Sequence, residues 1–315
     1  MEILEINAFE YDKTFQYSYH IFNSARFNEL NSSKCEKVHY LVFKDSKIRL
    51  GIILGVKQNR LFSPFSSPFG GFETITNNLR LSQIDEALLM LDSWVKQNNY
   101  SEISITLPPV FYNNSFISKL CNCLYRFGYQ NVVLDLNYHF PVSKLQNDYL
   151  KEVVWYNSRK NLKISFKVGL VFEKIDENKG LLAYEIIKKN RGERGFPLRM
   201  TWEQILTTME VVKMDFFIVK RENEGIAAAI LYHVSPKVVQ VVYWGDLPSH
   251  SECKTMNFLS YSVFNYYNNT DIEIIDIGPS TENSIPNFGL CEFKESIGCD
   301  ISNKYKFTKI IKKCL

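Results

Sequence analysis

Asp215-Phe216-Phe217-Ile218-Val219-Lys220, then Arg221-Glu222-Asn223-Glu224, then Gly225 to His233 read as a strand, a tight turn and a second strand. A third strand follows in Val238-Val239-Gln240-Val241-Val242-Tyr243-Trp244. β-Branched and aromatic runs bounded by polar turn residues carry that reading. The same order stands earlier in the chain. There Val38-His39-Tyr40-Leu41-Val42-Phe43 is a strand, Lys44-Asp45-Ser46-Lys47 a turn and Ile48 to Val56 a second strand, with a shorter third run around Leu61-Phe62. Each antiparallel hairpin leads into a helix and a buried strand. Ser82 can cap a helix over Gln83 to Gln97, with Ile84, Ala87, Leu88, Leu91 and Val95 on one face. Asn98-Asn99 stops it, and Glu102 to Leu107 follows as a strand ended by Pro108-Pro109. The counterpart helix runs from Lys254 to Tyr267, with Phe258, Leu259, Ser262 and Tyr266 inward. Asn268-Asn269 stops that one, and Ile272 to Ile277 is its strand, ended by Gly278-Pro279. The offset between the two Asn-Asn pairs also relates Gly128 to Gly298. A last strand follows each glycine, Val132 to Leu136 and Tyr305 to Ile311.

One matched dipeptide would be chance, but several features in one order at one offset indicate a duplicated domain. The fold class is therefore α/β (α+β): two similar halves with mixed, mostly antiparallel sheets flanked by helices. The halves are residues 1–145 and 146–315, with Pro141-Val142-Ser143-Lys144-Leu145-Gln146-Asn147 as the linker. A chain of 315 residues suits two domains and buries real cores without staples. Hydrophobic residues at 45% and charged ones at 23% exclude wholesale disorder. A net charge of +3 gives no global field toward DNA or membrane. Seven scattered cysteines read as reduced thiols rather than a disulfide framework. The acidic start Met1-Glu2-Ile3-Leu4-Glu5 is not a signal peptide, and no apolar run reaches the ~18–20 residues of a membrane span. The expected location is the cytoplasm.

Three stretches resemble a known family. Asn157 to Leu170 looks like the basic segment ahead of a second GNAT half. Tyr243-Trp244-Gly245-Asp246, a helix and then Asp276-Ile277-Gly278 look like the strand, helix and strand end of that half. Gly289-Leu290-Cys291-Glu292-Phe293-Lys294-Glu295-Ser296-Ile297-Gly298 is similar to the signature Gly-x-x-x-Phe-Lys-x-x-Phe-Gly. These resemble the tandem GNAT-fold acyl- and aminoacyl-transferases, in particular the Fem (FemAB-like) family of peptidyltransferases and their bacterial relatives. The resemblance implies two GNAT-like domains, with residues 146–315 holding the chemistry. It implies transfer of an acyl or aminoacyl group from an activated donor, acyl-CoA or aminoacyl-tRNA, to an amine. The acceptor would be a small molecule, a peptide or a cell-envelope precursor. The alternative is a non-catalytic tandem-GNAT module that binds a nucleotide-linked or peptide ligand.

GNAT acetyltransferases hold the CoA pyrophosphate on amides of a Gly-rich turn at a helix N-terminus. Here that turn is Gly245-Asp246-Leu247-Pro248-Ser249-His250-Ser251, with one glycine, an acid and a proline, which speaks against acetyl-CoA.

Acyl transfer needs a deprotonated amine and a stabiliser for the developing oxyanion. Lys294, in the signature, is the candidate cation; the plain alternative is an exposed helix lysine pairing with Glu292 or Asp276. Asp276, at the end of a very apolar strand, is the candidate proton acceptor; the alternative is a turn acid serving Gly278-Pro279-Ser280. Tyr243 and Trp244 could wall the acceptor site or simply pack. Arg159, Lys163 and Lys167 share one helix face and could meet phosphates of a donor, or be a solvated stripe. Arg191 and Arg194 lie in Asn190-Arg191-Gly192-Glu193-Arg194-Gly195-Phe196-Pro197, suited to an anion-clamping lid or an ordinary turn. The five histidines show no metal spacing: His233 and His139 read as core, and His250 is a weak alternative base. An RNA-binding face of Lys304, Lys306, Lys309, Lys312 and Lys313 is the weaker reading, because the net charge is only +3.

Overall fold

The computed structural model describes residues 1–311 apart from 17, 77, 147 and 197, so Lys312, Lys313 and Pro197 lie outside the described residues. The chain divides into two compact units. One holds Met1–Leu136 with the chain from Ser302 onward, and the other holds Asn137–Ile301.

The first unit contains β1 (Glu2–Ile6), α1 (Ala8–Thr14), α2 (Ala25–Leu30), β2 (Lys37–Lys44), β3 (Ile48–Lys57), β4 (Arg60–Ser63), β5 (Phe72–Thr74), α3 (Leu81–Gln97), β6 (Glu102–Thr106) and α4 (Asn114–Arg126). β7 (Asn131–Pro141) begins in it. β1 to β4 pair antiparallel in sequence, whereas β6 lies parallel to β4. The expected inward face of α3 is observed: Ile84, Ala87, Leu88, Leu91 and Val95 are all buried. Its start differs. Gln83 Oε1 accepts the N–H of Arg80 at 3.1 Å, so the helix begins at Leu81 and Ser82 lies inside its first turn. Each such leucine or isoleucine taken from water contributes roughly 1.5–3 kcal/mol.

The second unit holds α5 (Tyr156–Lys167), β8 (Val171–Ile175), α6 (Gly180–Glu193), α7 (Trp202–Met209), β9 (Met214–Arg221), β10 (Glu224–Ser235), β11 (Val238–Asp246), α8 (Thr255–Tyr267), β12 (Ile274–Pro279), the hairpin β13 (Thr281–Glu282) and β14 (Ile285–Pro286), and α9 (Phe288–Ser296). β8 to β11 pair antiparallel in order, and β12 runs parallel to β11. Alternation along β9 separates two helical layers. Phe216 faces α6, where a Cβ on Gly180 would lie 2.9 Å from its ring, while Phe217 meets Tyr266 and Tyr267 of α8. The buried side chains of α8 are Thr255, Asn257, Leu259, Ser260, Val263, Phe264 and Tyr267; of the expected inward residues only Leu259 is buried. The reason is a second partner. Phe166 of α5 packs against Phe258 and Tyr261, so α8 is covered on two sides and no single stripe marks its core face.

In both units an antiparallel three-strand run is followed by a helix and a fourth strand, in the order the repeat predicts; that fourth strand lies parallel to the third. The last strands are exchanged. Residues 137–141 of β7 pair antiparallel with β12 of the second unit. The final strand β15 (Asp300–Ile310) pairs antiparallel with β6 of the first, Thr308 opposite Ser104. The observed division therefore differs from a cut at 145: residues 137–141 of β7 go with the second unit, and the chain from Ser302 onward goes with the first.

Candidate active site

Strand β12 lies between Gln240 of β11 and His139 of β7, both directly opposite Asp276. The Asp276 side chain is fully buried. Its Oδ1 accepts from Asn137 Nδ2 at 2.7 Å and from the Gly278 N–H at 2.9 Å, and its Oδ2 accepts from Gln240 Nε2 at 2.8 Å. A carboxylate can be buried when such donors replace its water. The bond to Gly278 is an Asp side chain serving its own backbone two residues on. It closes a turn in which Gly278 takes φ +76°, a conformation glycine adopts without steric cost.

α9 brings Lys294 to the same turn. Asn287 caps that helix, its Oδ1 accepting the Leu290 N–H at 3.1 Å. Lys294 is 2% exposed, so it is not a surface lysine. Its ammonium donates to the carbonyls of Ile277 (3.1 Å), Gly278 (2.9 Å) and Pro279 (3.1 Å). Those three acceptors match the three donors of an ammonium. The Tyr138 ring lies 5.3 Å from Nζ, within cation–π reach, and the Tyr138 hydroxyl donates to Glu295 at 2.9 Å. Asp276 through an N–H, and Lys294 through three carbonyls, thus brace one strand end.

The other candidates separate by sheet face. Trp244 points toward α9, where its ring meets Phe293 at 6.2 Å. α5 packs on α8 on that side, carrying the half-exposed Arg159 and the exposed Lys163, and its Ser158 hydroxyl lies 2.7 Å from that of Ser296 of α9. Tyr243 points the other way, toward α6. Burial raises its phenol above the ordinary value, while Arg199 and Arg191 pull it down.

The expected lid is only partly a loop, since Asn190 to Glu193 form the last turn of α6. Asn190 is buried and donates to the Asp246 carbonyl, leaving no room for a Cβ at Gly245. Arg194 donates to Asp246 Oδ1 at 3.3 Å. Burial nevertheless raises the Asp246 carboxyl above its usual range, against the pull of Arg194. The turn after β11 is also filled from within: Pro248 has no N–H, the His250 N–H bonds to Leu247 O, and the Lys254 N–H bonds to Ser251 O.

Reading the sequence missed Asn137, Tyr138 and Gln240. Gln240 had a signal, a polar residue inside Val-Val-Gln-Val-Val. Asn137 and Tyr138 had none, because they lie on the strand that the first half delivers to the second unit. His233, read as core, is half-buried and held by Asp215 at 2.6 Å, which also accepts from Tyr267 and pairs with Lys174.

No protein-family model matches the sequence, and no curated protein matches it. Solved structures do. The chain is similar to FemX (12% identity, TM-score 0.67, covering 99% of this chain and 98% of that one). It is similar to L-PGS from Bacillus licheniformis (12%, TM-score 0.59, 99% and 94%). It is also similar to a tandem GNAT protein from the clavulanic acid biosynthesis pathway (7%, TM-score 0.54, 99% of each chain). The fold is a Fem-like tandem GNAT fold. No helix among the described residues is long and apolar enough to cross a membrane.

Proposed function

We propose that this Fem-like tandem GNAT chain transfers an acyl or aminoacyl group to an amine, with its chemistry in the second unit. The observation that carries the reading is the buried Lys294 ammonium, fixed on three successive carbonyls at the end of β12. A fixed positive charge in a site shielded from water can favour the oxyanion of acyl transfer without reorganising when it forms. Lys294 is assigned that role. Asp276 is assigned as a positioning residue, because both its oxygens already accept from Asn137, Gln240 and Gly278. Trp244, Arg159 and Lys163 then serve one substrate on the α9 side. Tyr243, Arg191 and Arg194 serve an anionic group on the α6 side. The acceptor class is a peptide or cell-envelope precursor amine, and the reaction is placed in the cytoplasm.

Of the two donors, aminoacyl-tRNA is favoured over acyl-CoA. The turn that would cradle a pyrophosphate begins at the acidic Asp246, contains Pro248 and uses its own amides internally. The runner-up, a non-catalytic module binding a nucleotide-linked or peptide ligand, also has an observation in its favour: Lys294 and Asp276 are both engaged with the protein's own backbone and amides.

The experiment is a donor panel. Acyl-CoAs and aminoacyl-tRNAs are supplied with peptide amines, and amide formation is read by mass spectrometry. Aminoacyl transfer is expected, together with CoA affinity no better than about 1 mM, about −4 kcal/mol. Ligand binding without amide formation from any donor would establish the non-catalytic module instead. Micromolar CoA binding would overturn the donor assignment.

A further inference from the structure

The turn between β11 and α8 carries three metal-ligating side chains that the proposed transfer does not use. A ring nitrogen of His250, a carboxylate oxygen of Glu252 and the Cys253 sulfur lie within 4.8 Å of one another. We propose that these three residues form a binding site for a divalent transition metal of the zinc class.

The local backbone makes the cluster. Residues Pro248 to Cys253 wind as a 3₁₀ turn broken at His250 (φ −117°, ψ 23°), and Lys254 closes it in the left-handed region at φ +55°. That conformation is costly for a lysine and persists where its surroundings dictate it. In a regular helix His250 and Cys253, three apart, would share a face while Glu252 pointed away from them, whereas the broken turn gathers all three. The expectation of no metal spacing rested on the distances between histidines and did not allow for this.

The nitrogen is specified by its surroundings. His250 Nδ1 is buried with no hydrogen-bond partner, whereas Nε2 faces Glu224 Oε2 at 3.8 Å. Drawn in to hydrogen-bond distance when a metal binds, that carboxylate would hold the proton on Nε2 and leave the Nδ1 lone pair for the metal. Cys253 is 1% exposed, and its thiol lies 3.4 Å from Glu252 Oε1. Arg221 donates to Glu252 at 3.1 Å and reaches the Cys253 sulfur at 3.2 Å, so it holds both side chains on one side.

Charges balance. A neutral imidazole, a carboxylate and a thiolate bring two negative charges to a dication. On binding, the S–H bond breaks, the sulfur–metal bond forms and the proton leaves to solvent. Nitrogen, oxygen and sulfur together suit zinc or cobalt over magnesium or calcium. Three protein ligands leave the fourth tetrahedral position open to water or a substrate donor.

The test is a titration of the chelator-treated full chain with cobalt(II), followed by absorbance. One equivalent should develop a sulfur-to-cobalt charge-transfer band with four-coordinate ligand-field intensity, and zinc should erase it stoichiometrically. Cys253→Ser should abolish the band, and Glu224→Gln should weaken affinity about 10–100-fold. X-ray absorption of the cobalt adduct of the unaltered chain covers the case in which a variant fails to fold; it should read one sulfur among nitrogen and oxygen ligands. No band in the unaltered chain, a band that survives Cys253→Ser, or a sulfur-free shell would each overturn the site.

Discussion

Three carbonyls hold the Lys294 ammonium, and that arrangement has a cost when the charge is removed. Lys294→Met leaves Ile277, Gly278 and Pro279 without their donor inside a buried site. Leaving buried acceptors unsatisfied is expected to destabilise by about 1–3 kcal/mol, read as a lowered denaturation midpoint. At a temperature where both proteins remain folded, turnover should fall about 10²–10³-fold if the ammonium serves the oxyanion. Unchanged turnover with lowered stability would make the lysine purely a strut.

Two other buried groups in the first unit give pH dependence. Burial pushes the Glu73 carboxyl up from 4.5 to about 8, against the hydrogen bond it accepts from the Thr74 N–H at 3.1 Å. The unfolded chain releases that proton first, so stability falls as pH rises between those values, at most ~1.4 kcal/mol per pH unit. His20 works the other way. It is fully buried among Tyr19, Phe22, Phe69 and Tyr112, and burial lowers its imidazole from 6.5 to about 3. The unfolded chain gains its proton first, so stability falls as pH drops through that window. Glu73→Gln should flatten the alkaline-side decline in urea unfolding and leave the acid-side decline in place. An unaltered alkaline slope would remove Glu73 as its cause.

The two helices that the resemblance singled out both end at a glycine with positive φ: Gly169 after α5 (+75°) and Gly298 after α9 (+90°). They differ in space. A Cβ at Gly169 meets nothing within 4 Å, whereas at Gly298 it would sit 2.4 Å from Val153 Cγ1. Gly169→Ala should therefore cost only the backbone term, about 1 kcal/mol. Gly298→Ala adds a clash and should cost about 2–3 kcal/mol. Equal shifts in denaturation midpoint would contradict that difference. Element type was legible wherever one face met one partner: α3 has one buried stripe, and the sequence shows it. α8 packs against both the sheet and α5, which buries Asn257 and Ser260. Asn257 donates to Ser158, so polar residues occupy positions where a stripe reading looks for apolar ones.

Across the whole chain, the exchange of last strands makes the first unit depend on the chain's end. Phe307 of β15 belongs to the core that includes Leu61, Ile103 and Leu120, and the Thr308 hydroxyl lies 2.6 Å from that of Ser104. A chain ending at Ile301 should lose hydrogen-exchange protection in β2, β3 and β6 while β9, β10 and β11 retain theirs. Loss confined to β9–β11 would reverse the assignment. This dependence was invisible in the repeat, because a strand's sequence encodes an apolar face but not the edge that receives it.

Taken alone, the sequence determines the duplicated α/β layout, the helix stops at the Asn-Asn pairs and the Phe-Lys signature, all of which follow from local periodicity, turn chemistry and short spacing. Only the tertiary structure decides which strand each last strand pairs with and which face each candidate residue occupies. It also decides that Asn137, Gln240 and Gly278 reach Asp276. Those outcomes depend on long-range pairing: β7 brings Asn137 against a strand 139 residues later in the chain, and no local pattern records so distant a partner.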